Sequence, residues 1–140
     1  MEVLAQERLL TGLDHARLSS LLFKPRFAAS LPAGLAETAR ELLDFARVVD
    51  ATQVDPDIVT MRSRVIVERP GIGEINLCLV YPSEADPDSG CISVLTPLGL
   101  SLLGARVGQV ITWTGPDQRE HSAKVLRMVY QPESAGDYAV

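Results

Sequence analysis

The sequence predicts an α+β fold: a short antiparallel helical hairpin, a coiled-coil stub over residues 1–57, and then a small β-sheet domain with one short helix over residues 58–140. Three observations carry that prediction. Apolar residues recur with a helical period before Asp50, and from Ile58 they alternate with a period of two. Between the two patterns lies a polar stretch broken by proline, Thr52-Gln53-Val54-Asp55-Pro56-Asp57. Helices gathered at one end of a run of strands is the α+β arrangement.

Each element has its own local reason. Thr11 is placed to cap a first helix, with Asp14 in the first turn favouring the positive end of the dipole. Leu18, Leu21 and Leu22 then fall on one face, and Pro25 stops the helix because the residue before a proline avoids the α region. A connector follows from Lys24 to Pro32. A second helix is predicted from a stripe of Leu35, Ala39, Leu42, Ala46 and Val49, with Glu37, Arg40, Glu41, Asp44 and Arg47 facing elsewhere. Two amphipathic helices joined by a modest loop read as a hairpin.

Beyond residue 58 the pattern is that of strands. Met61, Ser63, Val65 and Val67 alternate with Arg62, Arg64, Ile66 and Glu68, and Pro70-Gly71-Ile72-Gly73 supplies a turn. Glu74 to Tyr81 forms a second strand, ended by Pro82. An acidic loop from Ser83 to Gly90 leads into the strand Cys91-Ile92-Ser93-Val94-Leu95. Thr96-Pro97 opens a short helix at Leu98, with proline in the first turn where its missing N–H does no harm. Gly104 is placed to end that helix. Val107–Trp113, the turn Gly115-Pro116-Asp117 and His121–Tyr130 make a final hairpin. Trp113 is expected in core packing or at a sheet edge.

Bulk properties narrow the function. The hydrophobic fraction of 46% suffices for a core, and no apolar run approaches the ~18–20 residues of a membrane helix. The N-terminus lacks a basic-then-apolar pattern, so the expected location is the cytoplasm. The net charge of −5 is spread evenly: residues 1–59 hold nine acids and six bases, residues 60–140 nine and seven. Without a basic stripe, direct binding to nucleic acid is not expected. Cys78 and Cys91 lack CxxC spacing, and His15 and His121 are far apart in sequence, so neither a metal nor another cofactor is expected. The two cysteines read as reduced thiols, a disulfide between them being disfavoured in a reducing compartment.

Several segments then carry a resemblance. Leu79-Val80-Tyr81-Pro82, Ile92-Ser93-Val94-Leu95-Thr96-Pro97-Leu98-Gly99 and Leu102-Leu103-Gly104-Ala105-Arg106-Val107-Gly108 resemble the C-terminal domain of Gre-type transcription elongation factors. The tail Tyr130-Gln131-Pro132-Glu133-Ser134-Ala135-Gly136-Asp137-Tyr138 narrows the match to the Rnk family, the regulators of nucleoside diphosphate kinase. Val59-Thr60-Met61-Arg62-Ser63-Arg64-Val65 resembles the entry to the Rnk C-terminal domain, and Gly12-Leu13-Asp14 its N-terminal start.

The resemblance implies an FKBP-like C-terminal domain and RNA polymerase as partner, with docking near the secondary channel in competition with Gre factors. It also places Thr96, Pro97 and Leu98 at the polymerase-binding surface, with Glu84 and Asp86 of the acidic loop as further candidates. Gre factors hold the catalytic magnesium with two acids at a coiled-coil tip, because a hard cation that keeps much of its water takes one or two charged oxygens. No Asp or Glu occurs between Asp14 and Glu37, and the hairpin tip carries Lys24 and Arg26 instead. At ~1.5 Å rise per residue a first helix of about ten residues spans roughly 15 Å, a stub beside a channel-length coiled coil. The expectation is a non-enzymatic regulator linked indirectly to nucleoside diphosphate kinase levels.

Two alternatives are weaker. An active cleavage factor would need acids at the tip. A prolyl isomerase, suggested by fold alone, would need an aromatic-lined pocket. Aromatics are 5% of the chain, and Phe23, Phe27 and Phe45 all belong to the helical half. Whether Leu35, Leu42 and Val49 pack within the hairpin or on a second copy is open.

Overall fold

The computed structural model describes residues 8–137; residues 1–7, which carry the N-terminal reading above, and Tyr138 of the tail signature lie outside them. A short strand β1 (Leu9–Thr11) leads into helix α1 (Gly12–Leu22), followed by α2 (Pro25–Ser30), α3 (Leu35–Phe45) and β2 (Arg47–Val49). The second half holds β3 (Arg64–Arg69), β4 (Gly73–Val80), β5 (Cys91–Ser93), α4 (Pro97–Leu102), β6 (Val110–Thr114), β7 (Glu120–Tyr130) and a terminal turn of helix, α5 (Pro132–Ala135). One five-stranded sheet has the order β5-β4-β3-β7-β6, all antiparallel except the β4–β5 pair.

The predicted cap of α1 is present: the Thr11 hydroxyl accepts from the Asp14 N–H, and Leu18 and Leu22 are buried. The second helix is shorter than its apolar stripe. It ends at Phe45, and Arg47, Val48 and Val49 turn away to pair in parallel with Leu9, Leu10 and Thr11. Two adjacent β-branched residues fit a pleated strand better than a helix, and Leu9–Thr11 offers them a ladder. The stripe therefore splits, with Leu35, Ala39 and Leu42 buried on α3 and Val49 half-buried on β2. The expected connector from Lys24 to Pro32 contains α2, which Pro25 starts from the N1 position.

In the sheet, alternate burial of Met61, Ser63, Val65 and Val67 holds as expected, but the ladder begins only at Arg64. Arg62 has φ 66°, a left-handed conformation that interrupts a strand. The core lies on one face of the sheet, where Val65, Val67, Leu79, Ile111 and Val125 meet Leu100, Leu102 and Leu103 of the α4 segment. The sheet's other face is polar, with Arg64 bonded to Asn76 at 2.8 Å and Arg127 paired with Glu74 at 2.9 Å. Strand β6 starts three residues later than the sequence pattern suggests, because Val107 to Gln109 form a turn against Asp57 and Val125. Trp113 packs on the core's margin between His121 (stacked, centroids 5.8 Å apart) and the Arg69 guanidinium at 5.3 Å.

Two glycines fix how α4 sits. A Cβ on Gly99 would come within 2.2 Å of the Ser93 carbonyl oxygen, so only glycine lets the helix lie this close to β5. Gly104 follows the helix with φ 78°, as expected of a helix-ending glycine, and its N–H donates to the Val59 carbonyl at 2.8 Å.

Candidate functional site

Three surfaces hold the residues singled out from the sequence. The first is the turn between α1 and α2. Phe23 ends α1 and is 88% exposed, and Lys24 and Arg26 beside it are exposed as well. Proline at the start of α2 forces the chain to turn here, which sets an aromatic ring and two cations at the far end of α1 from the buried Asp14.

The second surface is the N-terminus of α4 and the loop before β5. Thr96 uses its hydroxyl twice: it accepts from the Gly99 N–H at 3.0 Å and donates to the Ser93 carbonyl at 2.8 Å. Pro97 is exposed, and Leu98 is half-buried against the core. Of the loop acids, Glu84 is engaged rather than solvated: the Arg62 guanidinium donates to it at 2.6 Å and 3.2 Å. That pairing holds the Glu84 carboxyl below the usual carboxylate range. Asp86 accepts from the Ser89 hydroxyl at 2.8 Å, and its backbone pairs with Cys91. The loop is built as two 3-10 turns, Pro82–Glu84 and Pro87–Ser89.

The third is the junction of the helices with the sheet, whose importance single-residue reading missed. Asp14 is 3% exposed, and its carboxylate accepts from the Met61 N–H at 3.1 Å and from the Tyr81 hydroxyl at 3.3 Å. Burial pushes this carboxyl above its ordinary range, against the opposing pull of those donors and of Arg17. Burial, and then Asp14, push the Tyr81 phenol up as well. Arg8, 6% exposed, reaches across to the end of α4 and donates to the carbonyls of Ser101 and Leu103 at 2.7 and 2.8 Å. Those are terminal carbonyls of a helix, which otherwise lack partners.

The tail signature closes the same junction. Gln131 donates to the carbonyls of Asp55 and Ile58 at 2.8 and 2.7 Å, and the Thr60 hydroxyl donates to Glu133 at 2.6 Å. Burial raises the Glu133 carboxyl above its usual range. Tyr130 donates to Asp137. Motif residues from both ends of the chain, Asp14 and Glu133, thus meet at the adjacent residues Met61 and Thr60. The sequence signal was present: Gln131 and Glu133 stand in the signature, and buried polar groups of that kind need partners.

Between α1, α2 and the Pro82–Glu84 turn lies an open groove of about 710 Å³. Leu21 and Phe27 supply its apolar wall. The Arg17 and Arg62 guanidiniums lie 5.8 and 5.5 Å from the Tyr81 ring, within cation–π reach. Among the described residues no group of three or more His, Cys, Asp or Glu side chains is arranged to hold a metal ion. No helix among them is long and apolar enough to cross a membrane.

The family profile described as "Transcription elongation factor, GreA/GreB, C-term" matches residues 53–130, more than half of the chain. The "Regulator of nucleoside diphosphate kinase" of Escherichia coli (strain K12) is 37% identical over 131 residues, covering 93% of this chain and 94% of that protein. The chain belongs to the GreA/GreB family, in its Rnk branch. The transcription elongation factor GreA of Flavobacterium johnsoniae is 40% identical over 73 residues, which is 51% of this chain and 46% of that factor. Among solved structures, a prokaryotic transcription elongation factor GreA/GreB from Nitrosomonas europaea superposes with a TM-score of 0.72 at 30% identity, covering 89% of this chain and all of that one. The mixed helix-and-sheet architecture with its five-stranded sheet is consistent with the GreA/GreB C-terminal fold. A transcription-related regulator is what this membership supports.

Proposed function

We propose that this chain is a non-catalytic transcription regulator of the cytoplasm that docks on RNA polymerase near the secondary channel and competes there with Gre factors. Its effect on nucleoside diphosphate kinase levels is then indirect, through transcription. The observation that carries this reading is the composition of the α1–α2 turn. Phe23, Lys24 and Arg26 stand exposed where a cleavage factor needs carboxylates. Two cations there repel a divalent metal ion. Helix α1, at 11 residues, is about 16 Å long, too short for a channel-length probe.

In this reading residues 1–57 form a shortened hairpin. His15 near the start of α1 bonds to the Leu43 carbonyl near the end of α3 at 2.9 Å, as antiparallel helices would allow. Residues 58–140 form the FKBP-like docking domain. Thr96, Pro97 and Leu98 supply the polymerase contact, with Pro97 as its exposed point, and Asp86, exposed and bonded to the Ser89 hydroxyl, offers an acid at its margin. Glu84 acts there through Arg62, as an ion pair rather than a bare charge.

The test is binding of the full chain to purified core RNA polymerase. Saturable binding, weakened about tenfold or more by Pro97→Glu but not by a substitution on the polar sheet face such as Glu74→Gln, is the expected result. No saturable binding at any concentration would overturn the proposal.

A further inference from the structure

Cys78 and Cys91 are the two cysteines of the chain, and the fold sets them directly opposite each other in the parallel ladder of β4 and β5. Paired residues of neighbouring strands project from the same face, and such strands lie about 4.8 Å apart. That separation falls inside the Cα span of a disulfide, about 4.4–6.8 Å. The register is held on both sides. The Cys78 N–H donates to the Gly90 carbonyl at 2.8 Å, and Asp86 and Cys91 exchange backbone bonds of 2.8 and 3.0 Å. Gly90 cannot be replaced without strain, since its φ is 76° and a Cβ would meet the Asn76 carbonyl oxygen at 2.7 Å. Both thiols are free and only partly buried.

We propose that Cys78 and Cys91 are a reversible oxidation site: a peroxide converts this reduced pair into an intramolecular disulfide bridging β4 and the edge strand β5. Cys91 meets the oxidant first, because β5 is the edge of the sheet while Cys78 lies on a strand flanked by β3 and β5. The Cys91 thiolate sulfur attacks the peroxide, the O–O bond breaks, and a sulfenic acid and water form once the proton is placed. The Cys78 sulfur then attacks the sulfenic sulfur. The S–O bond breaks, the S–S bond forms, and a second water leaves. Two thiols are oxidised by two electrons, and one peroxide is reduced to two waters.

Burial, with Cys91 next to it, pushes the Cys78 thiol above its ordinary range, which suits the slower, resolving partner. The bridge is opened again by exchange with a thiol reductant. It has a direct structural consequence. Strand β5 runs straight into Ser93, whose carbonyl and hydroxyl anchor Thr96 and Leu95 ahead of α4.

The test treats the full-length protein with hydrogen peroxide and then digests it by cleavage at Glu84, between the two cysteines, for mass spectrometry. The expected product is a pair of peptides joined by a disulfide and separated by dithiothreitol. Cys78→Ser should stop at a sulfenic acid on Cys91, trapped by dimedone, while Cys91→Ser should leave Cys78 reduced at the same peroxide dose. Far-UV circular dichroism confirms that each variant is folded, and the wild-type digest stands whether or not they are. Wild-type protein that remains fully reduced, joins two chains, or accumulates separate sulfinic acids without the internal link would overturn the proposal.

Discussion

The α1–α2 turn and the helix–sheet junction sit on the same helix α1 and could hardly differ more. At one end Phe23, Lys24 and Arg26 are exposed. At the other, Arg8, Asp14, Thr60 and Gln131 are buried, with Glu133 half-buried among them, and each is hydrogen-bonded to a residue distant in sequence. Buried polar groups are costly unless satisfied, so their concentration at the junction specifies one geometry there. The contrast teaches that this chain fixes the direction in which the helices point through buried polar bonds at one end, and leaves the side chains of the turn at the other end exposed. Exposed side chains of that kind are open to contact with a partner.

The largest expected effect comes from breaking the junction. Asp14→Ala strands the Met61 N–H and the Tyr81 hydroxyl, and should lower stability by about 2–4 kcal/mol in urea unfolding. Asp14→Asn keeps an acceptor and relieves a charge that burial disfavours, so it should cost about 1 kcal/mol or less. If both variants behave alike, the carboxylate's hydrogen bonds are not what joins helix to sheet.

Arg8→Met comes next. It keeps much of the apolar stem but leaves the Ser101 and Leu103 carbonyls unpaired, for a loss of about 1–3 kcal/mol. A melting temperature equal to wild type would contradict the role assigned to Arg8.

A third test is pH dependence. The folded pKa values of Asp14 and Glu133 are raised, so the native state binds more protons than the unfolded chain just above the ordinary carboxylate range. Their contribution is full below the unfolded pKa of about 4 and declines as pH rises through the elevated folded values. Glu84 has the opposite sign: its pKa is lowered, and its contribution is lost as pH falls through that value. The Glu84–Arg62 pair is about a third exposed, and solvent screening should keep its effect small. Wild-type stability measured across the acid range should fall as pH rises through that window, and the double variant Asp14→Asn, Glu133→Gln should flatten this slope. A slope unchanged in the double variant would refute the assignment.

The smallest effect on stability belongs to the tip. Lys24→Ala and Arg26→Ala should stay within about 0.5 kcal/mol of wild type, as exposed substitutions do. A larger loss in thermal unfolding would mean that the turn has a structural role after all.

How much of this could be read from the sequence follows from the range of each interaction. The Thr11 cap, the Leu18 and Leu22 face and the Thr96-Pro97 helix start were legible because each is written within one or two turns. The end of α3 was not. Ala46 and Val49 continue its apolar spacing, and the competing partner Leu9–Thr11 lies far away in the chain. Val48-Val49, two β-branched residues in succession, were the available warning. The short helix α2 was hidden because Pro25 reads as a stop, although proline also starts helices. The tip cations were legible from composition alone. The Glu84–Arg62 pair and the Thr60–Glu133 bond were not, because nothing local announces a contact between strand, loop and tail.

The measurement that bears most directly on the account is Gre-stimulated transcript cleavage in a stalled elongation complex, titrated with this protein. A docking protein without tip acids should produce no shortened RNA by itself and should suppress the Gre-dependent product as its concentration rises. RNA shortening that depends on this protein, or Gre-dependent cleavage that stays constant at saturating amounts of it, would contradict the central claim.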